Sequence, residues 1–158
     1  MKFIESHLNE ITEFGKKAVS ELRNNDLKKF EEYAEKGFNI FPENIKDIED
    51  NDIRTKFFDL GYRYIKMIFK GFFENKNLQT VKKWLDRLEI FNNINHLFDE
   101  EVNFYKGKYF YETGNFDEAY NEWKDVVKNS GRNQKRYFEG EDSKYWEFYD
   151  KQKKIKKN

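Results

Sequence analysis

The chain has 158 residues, with 30 basic and 30 acidic side chains and a formal net charge of zero, which argues against a non-specific nucleic-acid binder built on clustered Lys and Arg. It has no cysteine and a single proline, so disulfides, thiolate nucleophiles and Cys-ligated zinc are excluded, and nothing reads as an interdomain linker. No run approaches the roughly 20 apolar residues of a membrane span, and the amphipathic start MKFIESHLNEITEFGKK lacks a secretory apolar core; the expectation is a cytoplasmic protein without a membrane partner.

Hydrophobic periodicity is helical almost throughout. Phe3, Leu8, Ile11, Phe14, Ala18 and Leu22 line a first helix, which Asn24-Asn25-Asp26 breaks. Asp26 is placed to cap a second helix through Leu27, Phe30, Tyr33 and Ala34, which Gly37 is expected to end. Phe38 to Asp52, with Pro42 and an acidic run, is irregular. A long helix is predicted from Ile53 to Glu74, a break at Asn75-Lys76-Asn77, a helix from Leu78 to Phe91, and another break over Asn92 to Asn95. Two further helices fill Asp99 to Lys128 around a Gly114-Asn115 turn, with Asn115 and Glu118 spaced as a capping box. Ser130-Gly131-Arg132 ends the pair, and a short helix follows from Ser143 to about Lys151. The segment KQKKIKKN, five lysines in eight residues, is expected to be a frayed basic tail over 151–158.

The chain also matches itself at a spacing of 38: FFENKNLQTVKKWLDRL from Phe72 aligns with FYETGNFDEAYNEWKDV from Phe110. Asn77 falls on Asn115, Val81 on Ala119, Leu85 on Trp123 and Leu88 on Val126, and a looser copy upstream uses Leu27, Phe30, Ala34 and Gly37. Gly107, Phe110, Gly114, Phe116, Ala119 and Trp123 stand at the spacings of a tetratricopeptide (TPR) hairpin, and the chain resembles that family over this stretch. It departs from the family in lacking the closing proline and in its spacing of 38 against about 34. The resemblance implies an all-α domain over 1–150, of about seven helices, in which antiparallel helix-turn-helix hairpins stack as a short right-handed solenoid. Gly107 and Ala119 would let the paired helices approach, Gly114 would make the turn, and Phe116 and Trp123 would supply bulk. The first helix of each unit would line a groove carrying Arg63, Lys66, Lys70 and Phe73, then Glu101, Phe104, Lys108 and Tyr111. Cations among aromatic rings suit another protein or an extended peptide segment.

Candidates for chemistry are few. His7 and His96 stand in no metal-binding spacing, and His96 in its Asn-rich turn is expected to be exposed or capping. The Asp50/Asp52 cluster lacks the glycine and glutamate of a calcium loop and reads as helix-start carboxylates. No Gly-rich phosphate loop or nucleophile elbow is present. The expectation is therefore a binding protein, not an enzyme, with no catalytic residue, metal or cofactor. A second candidate surface combines Glu139, Glu141, Asp142, Glu147 and Asp150 with Tyr145, Trp146 and Tyr149. Acids around aromatic anchors suit a basic partner, such as a toxin masked by a small bacterial immunity protein; an amphipathic helix with its aromatics turned to the core gives the same pattern. The 17 Phe, 10 Tyr and 3 Trp pose that question for the whole chain: a displayed recognition surface, in one alternative stacking nucleic-acid bases beside lysines, or a bulky core.

Overall fold

The computed structural model describes residues 2–157, which contain seven α-helices, one 3₁₀ turn and no strand. The helices are α1 (Glu5–Arg23), α2 (Leu27–Phe38), α3 (Asn51–Glu74), α4 (Leu78–Asn95), α5 (Asp99–Glu112), α6 (Phe116–Lys128) and α7 (Ser143–Lys157), with the 3₁₀ turn at Ile45–Asp47. None of the helices is long and apolar enough to cross a membrane. The chain divides into two compact units. One holds the chain up to Val81 together with Ile90–Leu97; the other holds Lys82–Glu89 together with the chain from Phe98 onward. Helix α4 thus contributes residues to both.

Three helix-to-helix turns share one geometry. Asn25, Lys76 and Gly114 each adopt a left-handed backbone, with φ of 59°, 54° and 80°. In each turn the next amide (Asp26, Asn77, Asn115) donates to the carbonyl five residues back (Glu21, Phe72, Phe110), at 2.8–2.9 Å. This is the Schellman arrangement, which satisfies carbonyls left open at a helix end. The following residue then starts the next helix: Asp26 Oδ1 accepts from the Lys29 amide at 3.0 Å, and Asn77 Oδ1 from Thr80 at 3.2 Å. Asn115 departs from its expected capping box, because its side chain instead donates to the Thr113 hydroxyl at 2.8 Å.

In the first unit α1 and α2 form a close hairpin, and α3 packs on both. Gly37 does not end α2, which continues to Phe38. Its lack of a side chain serves a contact instead: a Cβ there would lie 2.7 Å from Tyr64 Cζ, and the Tyr64 hydroxyl donates to the Ala34 carbonyl at 2.9 Å. Phe30 meets Phe72 edge-on at 5.1 Å, and Phe41 meets Phe57 at 5.3 Å and Tyr64 at 5.4 Å. Helix α3 begins at Asn51, where Asp50 Oδ1 accepts from the Asp52 and Ile53 amides. Helix α4 runs through the expected break at Asn92 to Asn95, with left-handed His96 as its C-cap. Asn92 and Asn95 are buried while Asn93 is exposed, and Asn95 clasps the irregular stretch. Its Oδ1 accepts from the Ile45 amide at 2.8 Å, and its Nδ2 donates to Glu43 and Phe91 carbonyls at 2.9 and 3.0 Å.

In the second unit α5 and α6 pair as the sequence pattern implies. A Cβ at Gly107 would lie 2.6 Å from Trp123 Cδ1, so only glycine admits the indole, whose Nε1 donates to the Phe104 carbonyl at 2.9 Å. Ala119 is fully buried, whereas Phe116 is about half exposed and fills no core position. Phe138, from the segment after α6, inserts between Phe104 at 5.0 Å and Trp123 at 5.1 Å. Tyr145, Phe148 and Tyr149 then dock α7 on this cluster, against Trp123, Tyr111 and Phe138. The expected stop of α7 near Lys151 is passed, and the lysine-rich segment is helical to Lys157; Asn158 lies outside the described residues.

Candidate functional site

The expected groove residues meet different fates. Arg63, Lys66 and Lys70 are exposed on α3, Arg63 paired with Asp59 at 3.1 Å and Lys66 lying over the Tyr62 ring at 5.2 Å. Phe73 and Phe104 are buried at 8% and 2% exposure, so packing rather than display uses their rings. Tyr111 is half-buried among Trp123, Tyr145 and Phe148. Lys108 is 7% exposed, and its ammonium meets Glu141 at 2.8 Å. Glu101 is half-buried, and burial pushes its carboxyl above the usual range even though Arg136 draws it down.

The acidic candidate surface is largely spent on the protein itself. Glu141 pairs with Lys108, Asp142 Oδ1 caps α7 through the Lys144 amide, and Asp150 pairs with Lys154 at 2.8 Å. Tyr145 and Tyr149 are buried and Trp146 is half-buried against Phe138, while Glu139 and Glu147 are exposed. Lys108 and Glu141, 33 residues apart in the chain and drawn from the two candidate surfaces, therefore meet and neutralise each other. Glu112 completes the junction: it accepts from the Tyr145 hydroxyl and pairs with Lys144 at 3.0 Å. Burial drives the Glu112 carboxyl up, but the bonds from Tyr145 and Lys144 outweigh it and hold the group below its ordinary value. Burial first, and the Glu112 carboxylate second, push the Tyr145 phenol well above its own. A phenol so held stays protonated at neutral pH and serves as the hydrogen-bond donor to Glu112.

A different surface emerges between α6 and α7. A groove of about 590 Å³ is lined by Lys124 and Lys128 of α6, by Lys153, Lys156 and Lys157 of α7, and by Asn121, Gly131 and Gln134. Helical spacing explains the alignment: residues four apart lie on one face, so each helix presents its lysines as a ridge. The floor is the stacked pair Tyr120 and Tyr149, with centroids 5.5 Å apart, together with Val127. Lys156 lies over the Tyr120 ring at 4.8 Å, and Lys153 Nζ reaches Gln134 Oε1 at 3.5 Å. No carboxylate lines the groove, and among the described residues none of its five lysines is ion-paired. Sequence reasoning sets this surface aside because three of its lysines sit in the segment expected to fray. The available signal was Tyr145, Phe148 and Tyr149, a run long enough to anchor a helix that lysines can extend.

Elsewhere in the second unit Lys106 bridges Glu89 at 3.2 Å and Glu122 at 3.6 Å beside a cavity of about 100 Å³. Burial raises the Glu122 carboxyl, and Lys106 opposes that rise. Among the described residues no three His, Asp or Glu side chains gather as a metal site. No family model, curated protein or solved structure matches the chain.

Proposed function

We propose that this is a non-catalytic helical protein that holds a partner protein, with the α5–α6 hairpin as a TPR-like unit and α7 as its cap. The observation that carries the reading is the seat of Trp123 on Gly107, with the Gly114 turn beside it: small residues are spent on bringing two helices together. The three equivalent turns at Asn25, Lys76 and Gly114, spaced 51 and 38 residues apart, support helix-turn-helix units as the building plan. On this reading the units stack as a short right-handed solenoid, as such units bury their faces on neighbours. The slots aligned with Gly107 and Ala119 in the middle unit are Phe69 and Val81, so the close small-residue seat belongs to the last unit. The toxin-masking alternative receives less support, because Glu141, Asp142 and Asp150 are engaged within the chain.

The test is to isolate the tagged full-length protein from its native cells and weigh it by size-exclusion chromatography with light scattering. A stoichiometric complex with another protein is expected, and reassembly from the purified components should reproduce it. Recovery of the chain alone at every salt concentration would count against a holding role.

A further inference from the structure

We infer that the lysine-lined groove between α6 and α7 receives an extended acidic segment of a partner protein. The inference rests on the partner-holding role proposed above and adds a place and a chemistry to it. Charge complementarity makes the first argument. Five lysines converge on one concavity with no carboxylate among the lining residues, in a chain whose 30 basic and 30 acidic side chains balance overall. An uncompensated cluster of like charge costs folding energy by self-repulsion, and an arriving anion relieves that cost.

Geometry makes the second argument. Lys124 and Lys128 on one wall, and Lys153 and Lys157 on the other, are each four helical residues apart, about 6 Å along the axis. Alternate side chains of an extended peptide repeat at about 6.6 Å on one face. A segment with acids at every second residue therefore meets both lysine ridges in register. Lysine suits such a ligand, since its flexible ammonium adapts to carboxylates at differing heights, whereas no arginine fork is present to select a phosphate. Asn121 and Gln134 add amide groups able to donate to, or accept from, the segment's backbone.

Nucleic acid fits less well. Single-strand binders gain affinity by stacking bases on exposed rings. Here Tyr120 and Tyr149 are 8% and 3% exposed, stacked on each other at an interplanar angle of 19°, with Lys156 covering the Tyr120 face. The groove offers bases no ring to lie on.

The experiment measures anisotropy of a fluorescein-labelled peptide of alternating Glu and Ser, mixed with the full-length protein across a salt series. A labelled oligothymidylate serves as the rival probe. Saturable peptide binding that weakens with salt is expected. Lys124→Glu/Lys128→Glu and Lys156→Glu/Lys157→Glu should each weaken it by at least about tenfold. The matching Lys→Gln pairs, which keep the helix-forming side chains, should give smaller losses and an unchanged circular dichroism spectrum. The inference is overturned by absence of peptide binding, by reversals that leave affinity intact, or by tighter binding of oligothymidylate. It is equally overturned if light scattering shows the groove filled by a second copy, through a dimer that the reversals dissolve. Retention of the native complex by the Lys124→Glu/Lys128→Glu protein would remove the groove and leave the holding role standing. Absence of any native complex, with peptide binding intact, would do the opposite.

Discussion

Gly107 shows how much one absent methyl group decides. Helix propensity alone favours Ala there by about 1 kcal/mol, but the indole is pinned by its bond to the Phe104 carbonyl and cannot slide away. Gly107→Ala should therefore cost a net 1–2 kcal/mol, roughly, in urea unfolding, as overpacking outweighs propensity. Gly114→Ala, with open space around it and a φ of +80°, should lose about 1 kcal/mol through backbone strain alone, and Gly114→Asn less. Both glycines are legible in the sequence. Gly37 is legible only as a glycine, since the ring that needs its space, Tyr64, lies on another helix. Titration gives a second prediction at this scale. The Glu101 carboxyl sits above its unfolded value, so the folded protein keeps a proton that the unfolded chain releases, and stability falls as pH rises through that window. Glu112 behaves oppositely: depressed in the fold, it contributes stability above its unfolded value and loses it as pH falls through its folded one. Denaturant midpoints taken from acid to neutral pH should show Glu101→Gln gaining on the parent toward neutrality, while Glu112→Gln flattens the acid limb.

Among the elements, α4 and α7 are the two whose C-terminal ends the sequence misplaces furthest, for different reasons. Asn92 to Asn95 carry turn-forming side chains, and local rules stop the helix there. The structure spends Asn95 on Ile45, Glu43 and Phe91, partners that no local window contains. Asn95→Ala should strand the Ile45 amide and cost about 1–3 kcal/mol. Hydrogen exchange should then rise over residues 39–50 and stay unchanged in α1 and α2. Helix α7 errs the other way, since a run of lysines reads as solvated tail until its anchoring aromatics are seen to dock. Where a helix boundary depends on adjacent residues, as at the Asp26 cap or the Gly114 turn, sequence and structure agree.

For the molecule as a whole, the aromatic question resolves toward the interior: Phe30, Phe57, Phe72, Trp84, Phe104 and Trp123 are all buried. That answer is partly legible, since large apolar residues fill cores by default. The candidate site is less so, because a groove is a relation between two helices and appears in neither helix's sequence. Charge acts at this scale too. With a sequence pI near 6.8, repulsion between copies is least close to neutral pH, while lysine-rich and acid-rich faces persist. Turbidity at low salt should peak near that pH and clear as salt screens the attraction. The docking of α7 has a practical corollary. Its apolar grip ends at Tyr149, and beyond Asp150 the described residues are five lysines, Gln152 and the exposed Ile155, none of them buried. Trimming the protein after Asp150, a tidy choice for crystallisation, should thus yield a well-behaved fold stripped of three groove cations. Such a product would lose only about the last two turns of α7 by circular dichroism and be deaf to its ligand, and lysine acetylation would silence the intact protein in the same way.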